Sequence, residues 1–243
     1  MIQTPSAIPI HPDFLELLDF NPASFRIDWC SSSDTKGEIE ATKYQNDNEF
    51  FARSLLFCYQ SIGLIVQGMH RPYIARLLSM TADMGYVSIL DFGSGGGQLG
   101  LALHALGFRV SFGDLASESI KFVEWRLRKR GLNLPVYVLN TTPGVGIPHQ
   151  NIVTCFDVLE HLDPGAQIEV LDLIGEIGDM VMVNFVIDSG HPRLHRPIDV
   201  AGLVGHVKAK WPCELSDWYP DKDGKPRQHL LLYGSGLRKA DDA

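Results

Sequence analysis

The sequence predicts an α/β protein with a doubly wound, mainly parallel seven-stranded sheet, an antiparallel C-terminal hairpin and a helical N-terminal extension. Beyond Tyr86, short apolar segments alternate with segments of helical periodicity, a pattern typical of βαβ units. The last two apolar segments are joined only by "YPDKDGKPRQ". That link is too short for a helical crossover and contains the Asp-Gly pair typical of a tight turn, so it predicts the hairpin.

Turn residues and apolar runs define each element of this fold. The predicted strands are Ser88–Phe92, Arg109–Gly113, Pro135–Leu139, Ile152–Phe156, Met180–Val186, Cys213–Trp218 and His229–Tyr233. The predicted helices between them are Gly97–Leu106, Ser117–Arg130, Gly165–Ile177 and Ile198–Lys210.

The N-terminal part has a different residue pattern from the alternating region beyond Tyr86. Its first forty or so residues are rich in proline and show only short apolar patches, which predicts a loosely helical arm. Apolar residues then recur at three- and four-residue spacing, which predicts helices at Asn48–Gln67 and Pro72–Met84. These helices could bury against the sheet or against a second subunit, so a homodimer is possible. We therefore expect a helical extension or lid over 1–85, a core over 86–236 and a flexible tail over 237–243.

Composition restricts the classes of partner. The chain has 243 residues and a formal net charge of −8, which would repel a phosphate backbone. The dense basic cluster at Trp125–Gly131 predicts the solvated end of an amphipathic helix. We therefore expect no nucleic-acid partner.

Cysteine usage and hydropathy suggest a compartment. The four cysteines are widely spaced and form no Cys-x-x-Cys pair, which favours a reducing environment. No basic leader precedes an apolar core, and no apolar run approaches the length of a membrane span. The expected location is cytoplasmic, with no membrane association.

A glycine cluster follows the first predicted strand, in "LDFGSGGG". Glycines at Gly93, Gly95 and Gly97 would let backbone N–H groups approach a ligand at the positive end of the next helix. The segment Gly95–Gly100 also matches G-x-G-x-x-G, and Asp114 lies 19 residues after Gly95. Taken alone, that match is weak, and it leaves a nicotinamide-dependent oxidoreductase as an alternative.

The same segment resembles the first motif of class I S-adenosylmethionine (SAM)-dependent methyltransferases. "VSFGDLASESIKF" is similar to that family's second strand and ribose-binding acid, and "NIVTCFDVLEHL" to its fourth strand and following turn. The closing hairpin is also a hallmark of the family. The resemblance covers about three fifths of the chain and implies a Rossmann-like core that uses SAM.

The resemblance implies a role for each matching residue. Asp91 would hold the amino-acid part of the cofactor or order the loop beside it, and Asp114 would accept hydrogen bonds from the ribose hydroxyls. Simple helix capping is the alternative for both carboxylates. The other implied contacts are Gly93, Ser94, Gly95 and Gly97 in the loop, Leu115, Asn140 and Thr141 around adenine, and Phe156 and Asp157 beside the methionine part and the substrate. The acidic residue that many members carry near Asn140 is missing.

Candidate acceptor residues come from loops at the carboxyl edge of the sheet. Methyl transfer to a hydroxyl or ammonium requires a proton acceptor, and His161, His191 and His195 have the right chemistry. His161 could equally shape its turn. A divalent ion held by His191 and His195 with a third ligand is an alternative for this loop, but we predict no metal.

The acceptor itself is predicted to be a small molecule. No Asn-Pro-Pro-Tyr type of motif is present, and the chain is acidic. Transfer to an oxygen or nitrogen of a metabolite is therefore the expected reaction. A non-catalytic protein that binds SAM and serves as a partner of another protein remains an alternative. Residues Tyr44 to Phe50 could line the acceptor pocket or pack on the following helix.

Overall fold

The computed structural model describes residues 11–21, 47–66, 68–85, 87–139, 146–187, 195–220 and 226–236. Its strands are β1 (Ser88–Phe92), β2 (Arg109–Asp114), β3 (Val136–Val138), β4 (Gln150–Phe156), β5 (Gly178–Val186), β6 (Cys213–Pro220) and β7 (Pro226–Gly234). Its α-helices are α1 (Pro12–Phe20), α2 (Asp47–Arg53), α3 (Leu56–Val66), α4 (Arg71–Thr81), α5 (Gln98–Ala105), α6 (Glu118–Lys129), α7 (Pro164–Ile177) and α8 (Val200–Lys210).

The sheet has the predicted doubly wound arrangement. Its seven strands run in the order β3-β2-β1-β4-β5-β7-β6. The first five are mutually parallel, whereas β7 is antiparallel to both β5 and β6. This confirms the mainly parallel, seven-stranded fold with its antiparallel C-terminal hairpin. The hairpin partner β6 forms the sheet edge, and β7 lies inside the sheet.

Helices cover both faces of the sheet. Side chains alternate along each strand, so neighbouring residues contribute to the cores on opposite faces. On β1, Ile89 belongs to one core cluster with Tyr73 and Leu77 of α4. The next residue, Leu90, belongs to the cluster on the opposite face with Leu171 of α7. A strand buried on both faces is an almost continuous apolar run, which is why the central strands were recognisable in the sequence.

The N-terminal helices differ from the prediction in one respect. The continuous helix predicted over Asn48–Gln67 is wrong, because α2 ends at Arg53 and α3 begins at Leu56. The Ser54 side chain accepts a hydrogen bond from the Leu56 amide at 3.1 Å. A serine that bonds its own backbone in this way competes with the helical pattern and restarts the chain as a new helix.

Phe50, a predicted candidate for lining the acceptor pocket, is buried. Its side chain is 1% exposed and packs with Leu56, Phe51 and Phe57. Phe50 therefore packs on the following helix and does not line an acceptor pocket. Tyr44 and Asn46 lie outside the described residues.

The basic cluster on α6 is also not what the sequence predicted. The Arg126 side chain is fully buried, so the expected solvated helix end is wrong for this residue. Helix α1 packs over it, with Leu17 buried in a cluster that includes Phe122. Helix α1 lies within the predicted arm, and its acidic side chains pair with basic side chains of α6.

Among the described helices, none combines the length and the apolar character needed to cross a membrane.

Candidate cofactor and acceptor site

The candidate site lies where the strand order reverses. The chain winds from β1 toward β3 on one side and from β4 toward β5 on the other, so the β1 and β4 loops leave adjacent strands in opposite senses. Ligands of open α/β sheets bind at this position, beyond the carboxyl ends of the strands. The glycine loop follows β1, and a short 3-10 helix over Leu159–His161 follows β4.

The glycine loop adopts a conformation that requires glycine. Gly93, Gly95 and Gly97 have φ values of 71°, 52° and 72°. A Cβ atom on Gly93 would also overlap Cγ2 of Val158, which follows β4. The Gly93 amide donates a 2.7 Å hydrogen bond to the Gly113 carbonyl of β2. The loop is therefore fitted tightly between the ends of β2 and β4.

Asp114 connects β2 to this loop. Its Oδ2 accepts a 2.6 Å hydrogen bond from the Gly95 amide, and its Oδ1 accepts one of 2.7 Å from the Leu115 amide. Burial raises the pKa of Asp114 to about 6, against the opposing effect of these two amides. The adjacent Leu115 side chain is 51% exposed. A carboxylate and an exposed apolar side chain thus stand side by side next to the glycine loop.

Asp91 is directed at the core of the protein. Its side chain is 3% exposed, its Oδ2 accepts a 2.9 Å hydrogen bond from the Gly100 amide, and its Oδ1 accepts one of 3.4 Å from Thr154. Burial raises its pKa to about 7. Because Gly100 lies in the first turn of α5, these contacts are those of the helix-capping alternative, and they hold α5 against β1.

At the end of β4, the predicted site residue Asp157 contacts His70, which the sequence did not indicate as a site residue. Asp157 has a positive φ of 54°, and its Oδ2 lies 3.2 Å from Nε2 of His70. The His70 ring packs edge-on against Phe156 at 5.4 Å. His70 immediately precedes α4, 87 residues earlier in the chain, and no local pattern marks it as a site residue.

Imidazole and aromatic rings also cluster around His161. The rings of His161 and His195 lie 4.9 Å apart. His161 also contacts the Phe51 and Phe57 rings, at 5.6 and 5.4 Å. The structure therefore brings two of the three predicted histidines together, next to α2 and α3 of the N-terminal extension.

A buried carboxyl group directly precedes His161 in the chain. Glu160 is 1% exposed, and its Oε1 accepts a 3.2 Å hydrogen bond from the Val186 amide. Burial and the nearby Asp157 carboxylate raise its pKa well above the usual value. The Glu160 carbonyl accepts a hydrogen bond of 2.6 Å from the Arg196 amide, which ties the 195–199 segment to the 3-10 helix.

Several buried polar atoms in this region have no hydrogen-bond partner among the described residues. They include Oγ of Ser94, Nδ1 of His70 and Oε2 of Glu160. Buried polar atoms without a partner are uncommon and require an explanation, such as an unaccounted ligand. Ser94 belongs to the glycine loop, where a polar ligand group could satisfy it.

Three predicted site residues, Asn140, Thr141 and His191, lie outside the described residues. Within the residues that the structure describes, no group of three His, Cys, Asp or Glu side chains is arranged to hold a metal ion. Nε of Arg196, the neighbour of His195 in the chain, lies 3.3 Å from the exposed Asp163 carboxylate.

Together the sheet order, the glycine loop after β1 and the acid at the end of β2 define the class I SAM-dependent methyltransferase fold. The fold that the resemblance in the sequence motifs implies is therefore confirmed. Magnesium protoporphyrin IX methyltransferase (ChlM) from Synechocystis PCC 6803, solved with bound SAM, superposes with a TM-score of 0.57 at 14% identity, covering 85% of this chain and 98% of that one. TehB from Haemophilus influenzae has a TM-score of 0.53 at 15% identity, covering 68% of this chain and 62% of that one.

Sequence comparison adds one curated relative. Ubiquinone biosynthesis O-methyltransferase from Psychrobacter cryohalolentis is 30% identical over 115 residues, which is 43% of this chain and 44% of that protein. The chain thus matches less than half the length of this relative. No protein-family model matches the sequence.

Proposed function

We propose that this protein is a SAM-dependent methyltransferase acting on an oxygen or nitrogen of a small-molecule metabolite. The observation that carries the proposal is the Asp114 carboxylate, which is bonded to the Gly95 amide beside the exposed Leu115 side chain. An acid that can accept from paired hydroxyls, next to an apolar surface for a purine, matches an adenosine group. The names of the curated relative and of the ChlM structure support the same reaction class.

The other residues of the site fit the remaining parts of SAM. Ser94 offers a buried hydroxyl without a partner among the described residues, and Phe156 and Asp157 lie at the end of β4, the strand that pairs with β1. Asp91 has an indirect role: it holds the first turn of α5 and thereby the glycine loop that precedes this helix. When bound, SAM supplies an electrophilic methyl group, and no further cofactor is required.

The histidine pair is proposed to serve the acceptor. A neutral imidazole of His161 or His195 would take the proton from an acceptor hydroxyl as its oxygen attacks the methyl carbon, or from an ammonium before its nitrogen attacks, and S-adenosylhomocysteine would leave with the electron pair of the broken bond between sulfur and methyl. The neighbouring Phe51 and Phe57 rings restrict the access of water to this side of the site and would orient an apolar acceptor. His191 is proposed as a further candidate for the same role.

The acidic charge of the chain supports a small acceptor over a nucleic acid. A reducing, cytoplasmic location belongs to the same proposal. It is supported by the described cysteines, Cys58, Cys155 and Cys213, which are free thiols.

The first experiment is calorimetric titration with SAM, S-adenosylhomocysteine (SAH) and NADH, repeated on Asp114→Ala. Micromolar binding of the two sulfur ligands, lost in the variant, is expected. Binding of NADH with no response to SAM or SAH would contradict the proposal and favour the dinucleotide interpretation of Gly95–Gly100.

The acceptor role is tested with His161→Asn and His195→Asn. Once an acceptor is found by methyl uptake, we expect kcat to fall at least a hundredfold in one of them, with the SAH affinity unchanged. His206→Asn is the matched control, because His206 pairs with Asp172 on the surface of α7 and α8. Full turnover by both site variants would remove these histidines from the mechanism.

A further inference from the structure

Arg126 forms a buried link between the N-terminal helix and the glycine loop. Toward the glycine loop and α5, its Nη1 donates 2.7 Å hydrogen bonds to the Gly96 carbonyl and to Oε1 of Gln98. Toward α1, its Nη2 donates to Asp13 and its Nε to Glu16, both at 2.8 Å. One guanidinium thus contacts α1, the glycine loop and the first residue of α5.

The charges in this cluster balance. Arg130 donates to the same two carboxylates, at 2.6 Å to Asp13 and at 2.7 and 3.0 Å to Glu16. The Gln98 side chain completes the cluster by donating to Asp13 at 2.6 Å. Burial acts to raise the pKa of Asp13, but Arg126, Gln98 and Arg130 together hold it below its usual value. Two acids are therefore neutralised by two arginines, of which Arg126 is fully buried and Arg130 is partly exposed.

This arrangement is more specific than docking of α1 requires. Leu17 and Phe20 already supply apolar contacts to α6, and Lys129 forms an exposed pair with Asp19 at 2.7 Å. A buried charge cluster contributes little net stability over apolar residues, but it fixes geometry. The Gly96 carbonyl, which Arg126 fixes, lies one residue after the amide that Asp114 holds.

We propose that Arg126 is a positioning residue that couples docking of α1 to cofactor binding through the glycine loop. This inference rests on the proposed function. By thermodynamic linkage, if a docked α1 raises the affinity for SAH, then SAH stabilises the docked α1 by the same factor. No contact between α1 and the ligand is needed.

The experiment combines titration with hydrogen exchange. Arg126→Lys and Asp13→Asn should each bind SAH at least tenfold more weakly. In the first variant, one ammonium cannot bridge the carboxylates and the Gly96 carbonyl together. In the second, an uncharged amide replaces the carboxylate that accepts from Arg126, Arg130 and Gln98. Lys129→Gln is the matched control: it removes an ion pair between α1 and α6 that does not reach the loop, and its SAH affinity should stay within twofold of the wild type.

In the wild-type protein, saturating SAH should slow amide exchange in residues 13–20 severalfold. This measurement does not depend on any variant being folded. Unchanged exchange in α1, or SAH affinities of both cluster variants within twofold of the wild type, would overturn the coupling alone. A wild-type protein that binds no SAH would overturn the proposed function and this inference with it.

Discussion

Asp114 gives the site its expected pH dependence at the scale of single residues. With a pKa of about 6 in the folded chain, against 3.8 for an ordinary aspartate, it holds a proton at pH 5 that the unfolded chain has released. The free energy of unfolding therefore falls as the pH rises between these values. The buried Asp91, with a pKa of about 7, contributes in the same direction.

Ligand binding should show the opposite trend. Ribose hydroxyls are bound best by the ionised carboxylate, so the affinity for SAH should fall by up to about tenfold for each pH unit below 6. Calorimetry from pH 5 to 8 checks this. Asp114→Asn should bind weakly and lose most of the dependence, whereas Asp91→Asn should retain it below pH 6. An affinity independent of pH in the wild type would argue against an ionised Asp114 in the complex.

Gly93 is expected to be intolerant of substitution. Gly93→Ala combines a φ of 71° with overlap against Val158, and we expect a loss of about 2–4 kcal/mol in the free energy of unfolding. The matched control is Gly107→Ala, whose φ of 99° is also left-handed but whose Cβ would meet no atom within 4 Å. It should cost only about 1 kcal/mol.

A second substitution separates strain from overlap at Gly93. In Gly93→Ala/Val158→Ala, the steric part should be recovered while the backbone cost remains. Chemical denaturation of the wild type, Gly93→Ala, Val158→Ala and the double variant measures the steric and the backbone contributions. Equal losses in Gly93→Ala and Gly107→Ala would show that the packing between the β1 and β4 loops is not the reason for glycine at this position.

At the scale of elements, a buried hydroxyl bonds β7 to helix α7. The Tyr233 hydroxyl donates a 2.8 Å hydrogen bond to the Leu171 carbonyl of α7, and the side chain is fully buried. Tyr233→Phe should lower the free energy of unfolding by about 1 kcal/mol, the usual contribution of such a bond. Urea denaturation measures this. The SAH affinity should not change, because the bond lies on the face opposite α5; a weaker affinity would contradict this separation.

The elements themselves were largely predictable, but their ends and partners were less so. The central strands β1, β4 and β5 were identified as apolar runs, because strands buried on both faces leave that pattern. Arg126 was misjudged, because a basic run at the end of a helix usually lies in water, and the acids that bury it lie 110 and 113 residues away in the chain. His70 was missed for the same reason: only tertiary contact brings it to Asp157.

At the scale of the whole molecule, cofactor binding should be visible as a change in stability. A ligand present at 100 times its dissociation constant stabilises the folded state by about 2.7 kcal/mol. For a chain of 243 residues this corresponds to a rise in Tm of roughly 5–10 °C. Thermal unfolding with SAH and with NADH checks the prediction. A shift with SAH that persists in Asp114→Ala would indicate binding elsewhere on the protein.

The position of β7 has a consequence for how the chain is made. Residues 230–233 are buried at 1% exposure or less, between β5 and β6, yet this strand is synthesised after both of them. While translation proceeds from the N-terminus, the apolar edge of β5 stays open, and β6 has no neighbour to pair with. An open apolar strand edge invites pairing with other chains. We therefore expect the edge of β5 to need shielding in the nascent chain until β7 has emerged and paired with it.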